Sequence, residues 1–167
     1  MADGGTSTII MLVTALLISS AASAVLVQEW SSASRAIQTQ QKGLLLSEEI
    51  RIDFAGDPMM VSLSTAPNPN VILFYLQNTG VHVMNDATLS VLVNGVSINT
   101  GSITTSYVPV VSPNWAPNVL LQVTIRDASF NLFTDDTEVS LYASVRSVDV
   151  TGISKSASMS EEVRLRV

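Results

Sequence analysis

Thr6-Ser-Thr-Ile-Ile-Met-Leu-Val-Thr-Ala-Leu-Leu-Ile-Ser-Ser-Ala-Ala-Ser-Ala-Val-Leu-Val27 carries no charged side chain, and none occurs between Asp3 and Glu29. As a helix at about 1.5 Å per residue this run is roughly 33 Å long, enough to cross the hydrocarbon core of a bilayer. A cleaved signal peptide is the competing reading, with Ala22-Ser23-Ala24 as its small-residue site. The run is longer than a signal core, and residues 1–5 contain Asp3 and no Lys or Arg, so a retained anchor over residues 1–28 is expected. Ala15, Ser19 and Ser23 recur every four residues with Ala22 beside them. In lipid, where apolar burial does not favour one helix contact over another, such small side chains permit close helix packing and self-association.

The helical pattern continues past the apolar run. No Pro interrupts Gln28 to Phe54, and Ile37, Leu44, Leu45 and Ile52 fall on one side of a 3.6-residue helix. Charged residues from Glu29 to Asp53 are interleaved with that stripe. The expectation is an amphipathic stem over residues 29–56, with Gly43 as a kink or cap and Gly56-Asp57-Pro58 as the stop. Trp30, just beyond the apolar span, has the character of a headgroup-level anchor.

From Met59 the period changes to two. Runs rich in Val, Ile, Leu, Thr and Tyr predict strands at 60–64, 71–78, 88–93, 96–98, 103–110, 119–126, 138–148 and 161–167. Turn residues separate them: Pro67-Asn68-Pro69-Asn70, Asn78-Thr79-Gly80, Asn94-Gly95, Asn99-Thr100-Gly101, Ser112-Pro113-Asn114 and Thr151-Gly152. Asn94-Gly95 between two valines predicts a two-residue type I′ hairpin, which needs positive φ at both positions. The expected fold class is α+β: one long N-terminal helix, then an all-β immunoglobulin-like sandwich over residues 57–167, the plan of type IV pilin-like subunits.

Composition narrows the chemistry. The 167 residues include 14 Asp and Glu against 8 Lys and Arg, a formal charge of −6 that disfavours nucleic acid. Hydrophobic residues make up 47% and charged residues 13%, the balance of a chain with a membrane segment. There is no Cys and one His, His82, which removes the usual nucleophile–base pairs and zinc sets. His82 alternates with Val81 and Val83 and reads as a surface strand residue without a partner for proton transfer. No nucleophile elbow, P-loop, dinucleotide fingerprint or glycosylation sequon occurs, so no enzyme and no cofactor are expected. Asp127, Ser129, Asn131, Asp135 and Glu138 have the spacing of a calcium loop, but Leu132 stands where that loop needs Gly and strands flank it. A polar hairpin loop is the simpler expectation. Trp115, before Ala116-Pro117, reads as a structural plug.

Together these segments resemble the FlaG (ArlG) accessory proteins of the archaellum, the archaeal flagellum. The resemblance rests on the uncharged helix ending in Val25-Leu-Val-Gln-Glu29 and the stem Lys42-Gly-Leu-Leu-Leu-Ser-Glu-Glu-Ile-Arg-Ile-Asp53 leading to Asp57-Pro58. It continues in Phe74-Tyr-Leu-Gln-Asn-Thr-Gly80, Val91-Leu-Val-Asn-Gly-Val96 and Trp115-Ala-Pro117 before Val119-Leu-Leu-Gln-Val-Thr124. Asn118 stands where the pattern has Gly. The resemblance implies a non-enzymatic, single-pass protein of the cytoplasmic membrane with its β domain outside, in the pseudoperiplasmic space. It further implies association with the sister protein FlaF, through it with the S-layer, and a stator role in swimming.

Arg35, Lys42 and Arg51 lie on the C-terminal side of the span, a placement that by the positive-inside rule would favour a cytoplasmic β domain. The resemblance implies export instead, and export is the expectation adopted. The alternative from a different class is a filament-forming archaellin or pilin-like subunit, self-associating through its helices. A precursor of that kind would carry Lys or Arg and then Gly ahead of the apolar run, where this sequence has Asp3-Gly4-Gly5.

Overall fold

A computed structural model describes residues 4–66, 68–150 and 152–167. Asp3, Pro67 and Thr151, which figured in the sequence expectations, lie outside the described residues. The chain divides into two compact units, residues 1–42 and 43–167.

The first unit is helical. Helix α1 runs Gly4–Glu49, so its last seven residues belong to the second unit. The helix is long and apolar enough to cross a membrane, with a mean hydropathy of 2.4 in its most apolar window. Three hydroxyls of the apolar run turn back on the helix: Thr14 donates to Ile10 O (2.7 Å), Ser20 to Leu17 O (2.9 Å) and Ser23 to Ser19 O (2.8 Å). Polar groups satisfied within the segment suit a span that must leave none for lipid to solvate.

The second unit is an immunoglobulin-like sandwich of nine strands: β1 Ile52–Ala55, β2 Val61–Ser64, β3 Val71–Asn78, β4 Met84–Val93, β5 Val96–Ser97, β6 Ile103–Val108, β7 Leu120–Arg126, β8 Glu138–Ser147 and β9 Ser156–Arg166. In one sheet β1 and β2 lie end to end along one edge of β3, with β7 and then β6 on its other side, all antiparallel. The other sheet is β5-β4-β8-β9, also antiparallel. A short parallel pairing of β2 with β9, Val61 with Leu165 and Ser62 with Arg166, joins the two sheets.

Alternation places the core. Ile72, Phe74 and Leu76 of β3, Leu121, Val123 and Ile125 of β7, and Val139, Leu141, Ala143 and Val145 of β8 are all buried. The residues between them are more open, the pattern that period two dictates for a sheet with one packed face. The predicted strands recur with shifts of a few residues, and the hairpin forms as expected, with Asn94 at φ 51° and Gly95 at φ 77°.

The stem expectation needs correction. α1 ends at Glu49, seven residues before the expected stop, and Ile52–Ala55 is a strand paired with Tyr75–Asn78. Gly56-Asp57-Pro58 does form a turn: Asp57 accepts from Met59 N at 2.8 Å and caps a 3-10 turn at Pro58–Met60. That turn separates β1 from β2 and does not end the helix. Of the expected stripe only Ile52 is buried, while Ile37, Leu44 and Leu45 are exposed. The buried positions are Gly43, Leu46 and Ile50, another side of the same turns. Gly43 does not cap the helix, which continues past it to Glu49. A Cβ there would lie 3.3 Å from Lys155 Cε, so glycine makes room for that side chain.

Candidate functional site

The point where the helix enters the sandwich is built from few residues. A helix end leaves its last carbonyls without intrahelical partners. Here the β3–β4 connection supplies one for the last of them, Val81 N donating to Glu49 O (2.9 Å), and just past the helix Thr79 N and Gly80 N both donate to Arg51 O (3.1 and 3.2 Å). Side chains reinforce the contact, with Thr79 Oγ1 donating to Asp53 Oδ2 (2.7 Å) and His82 Nε2 lying 2.6 Å from Glu49 Oε2. Gly80 is required sterically, because a Cβ there would sit 2.5 Å from Glu49 O and 2.7 Å from Arg51 N.

Asn78 holds this clasp from beneath. It ends the inward stripe of β3 and is fully buried, so its amide must find partners. It does: Nδ2 donates to His82 O (2.8 Å) and Trp115 O (3.0 Å), and Oδ1 accepts from Gly80 N (3.1 Å). Trp115 is buried as the expected plug, its indole donating to Val119 O at 2.9 Å. Asn118 N donates to Asn78 O (2.8 Å). Asn118 has φ 63°, the left-handed region that Gly and then Asn tolerate best, so its departure from the expected Gly keeps the turn.

His82 is therefore placed differently from the sequence expectation. It lies in the β3–β4 bend, not in a strand, and it has a carboxylate partner from the helix end.

The five residues with calcium-loop spacing do not converge. Asp127 caps the 3-10 turn Ala128–Leu132, accepting from Ser129 N (2.9 Å) and Ser129 Oγ (2.7 Å). Those two bonds, the backbone one first, hold its carboxyl below the usual range. Asn131 Oδ1 accepts from Asn70 N at 3.0 Å. Asp135 Oδ1 accepts from Val167 N at 3.1 Å, and Glu138 pairs with Arg164. Arg164 and Arg166 also face Asp136, at 3.5 and 3.1 Å, so the acidic end of this loop is neutralised by β9. No group of three or more acidic or His side chains able to hold a metal occurs among the described residues.

Ala15, Ser19, Ala22 and Ser23 lie exposed on α1, and Trp30 is exposed beyond them. Between the sheets, Asp86 of β4 accepts from Thr105 of β6 at 3.3 Å, and burial, followed by Asp86, pushes the Tyr107 phenol up.

Fold and site together define a class: a protein with one candidate membrane helix followed by an immunoglobulin-like sandwich that clasps the helix end. No protein-family model and no curated protein matches the chain. Among solved structures it is similar to a crystal structure of the yeast GGA1 GAE domain, with 15% identity, 69% of this chain and 90% of that chain covered, and a TM-score of 0.25. A likeness that loose carries no argument about fold or function.

Proposed function

We propose that this chain is a non-enzymatic, membrane-anchored scaffold of the archaellum, a FlaG-type stator component coupling the motor to the cell envelope. The observation that supports it most is the clasp. Thr79 and Gly80, in one of the segments on which the FlaG resemblance rests, bond through their backbone to Arg51 O just past the helix end, and Val81 beside them bonds to Glu49 O, the last carbonyl of the helix. A load-bearing anchor needs such a junction, because force applied to the sandwich must pass into the chain that enters the membrane. In this reading the sandwich lies outside the cytoplasmic membrane and binds a FlaF-type partner, and through it the S-layer. In this reading recognition uses the sandwich's strand edges and loops.

The test is genetic. Deleting the gene should abolish swimming, and residues 1–42 expressed alone should not restore it. A deletion strain that swims normally with intact filaments would overturn the assignment. A filament-forming archaellin or pilin-like subunit is the second reading, which the same helix-then-sandwich plan favours. Immunogold labelling separates the two: label at the filament base supports the scaffold, and label along the filament supports the subunit.

A further inference from the structure

Beyond the apolar run, α1 carries large apolar side chains with nothing over them. Trp30 is 79% exposed and Ile37 55%. They are seven residues apart, and the same interval leads back through Ser23 and Leu16 to Ile9. A strict seven-residue repeat drifts only about 20° per heptad on a straight helix, so these positions form one seam, which two helices can follow by winding around each other. The companion positions three residues on are Leu12, Ser19, Leu26, Ala33 and Gln40, all apolar, small or uncharged. Where the seam passes Ser23, its hydroxyl already donates to Ser19 O at 2.8 Å, so close approach leaves that hydroxyl satisfied.

The charges indicate what covers the seam. Between Trp30 and Lys42 the charged residues are Arg35 and Lys42, again seven apart and each five positions after a seam residue, roughly 140° around the helix. The positions flanking the seam there are Glu29, Ser34, Ala36 and Gln41, of which only Glu29 is charged. When identical helices pair in parallel and in register, one flank of the seam meets the opposite flank of the copy, so Glu29 faces Ser34, Ala36 faces Gln41 and no like charges meet. Flanks on which no like charges meet, with Arg35 and Lys42 turned outward, suit a copy of the same helix. Membrane insertion in one direction would hold the copies parallel, and in that register Gln40 meets Gln40, so the two amides can bond to each other.

We propose that two copies of this chain pair in parallel along this seam, with Trp30 at the contact at headgroup level and Ala33, Ile37 and Gln40 at the contact beyond it. The pairing rests on the membrane-anchor reading.

Because the chain has no cysteine, single-cysteine variants of the full chain report the contact directly. In native membranes treated with copper-phenanthroline, A33C, I37C and Q40C should give disulfide-linked homodimers several times more abundant than R35C and K42C. A33C and Q40C leave Trp30 and Ile37 in place, so a seam weakened by I37C does not decide the outcome. Equal yields around the helix, absence of homodimer at the seam, or adducts only with a different protein would overturn the pairing. The same membranes are extracted with alkaline carbonate. A chain that is retained but not cross-linked at the seam loses the pairing alone; a chain released into the supernatant loses the anchor, and the pairing with it.

Discussion

Gly80→Ala tests the clasp directly. The Gly80 backbone is not in the left-handed region, so alanine meets no conformational barrier and any effect comes from space. The added methyl would lie 2.5 Å from Glu49 O, 2.7 Å from Arg51 N and 3.1 Å from Ile50 Cα. All three are backbone atoms, which cannot swing aside as a side-chain tip can. Either the β3–β4 connection or the end of the helix must move. The bonds at stake are those from Thr79 N and Gly80 N to Arg51 O and from Val81 N to Glu49 O. At about 1 kcal/mol net for each bond, losing all three would cost about 3 kcal/mol. Overpacking adds about 1 to 3 kcal/mol where relaxation is incomplete, and partial retention of the bonds offsets some of it. A cost of about 2 to 4 kcal/mol follows, which for a body of this size lowers the melting temperature by roughly 10 °C. Thermal unfolding of the full chain in detergent, followed by near-ultraviolet circular dichroism, measures it. Gly101→Ala is the control, since a Cβ there meets only Asn99 Oδ1 at 3.4 Å. If G80A melts within about 2 °C of the parent, the close approach at Gly80 is not what holds the helix end.

Two further predictions follow from burial and from charge. Leu46→Glu should destabilise the sandwich unit by about 2 to 4 kcal/mol, because it places a carboxylate where Leu46 is 5% exposed, whereas Leu45→Glu, at 61% exposed, should stay within about 0.5 kcal/mol; urea titration of both variants decides, and equal midpoints would contradict the burial. Asp127→Ala should cost about 1 kcal/mol at neutral pH through loss of the cap on Ala128–Leu132. Because the folded carboxyl titrates below its unfolded value, that contribution is present above about pH 4 and fades as pH falls through the folded value. The melting curves of parent and variant should therefore converge in acid, and a gap that widened there would reverse the sign.

The sandwich was legible because its strands alternate and its turns carry residues with a specific backbone need. Val71–Asn78 and the Asn94-Gly95 hairpin emerge from the pattern almost residue for residue. The start of the sandwich was not read correctly, because Ile50, Ile52 and Phe54 satisfy two periods at once. Ile52 continues a helical stripe from Ile37 and Leu45, and it also alternates with Arg51 and Asp53 as in a strand. The choice between them is tertiary. Ile52–Ala55 gains a full antiparallel ladder on β3, and the freed carbonyls of Glu49 and Arg51 find donors on the β3–β4 connection, a long-range return that local propensity does not encode. The same reason hid His82. Its neighbours suggested a strand, and its partner Glu49 lies 33 residues away in sequence. The side of the helix end that is buried was read as that of Leu44 and Leu45 and is that of Leu46, since three consecutive leucines offer several orientations to the same pattern. The clasp makes that choice: with Glu49 O and Arg51 O held by the connection, the last helical turn has one rotation available, and Gly43, Leu46 and Ile50 face inward. Leu44 and Leu45 are then left for solvent or for a partner, a consequence of the junction that the apolar pattern alone could not have indicated.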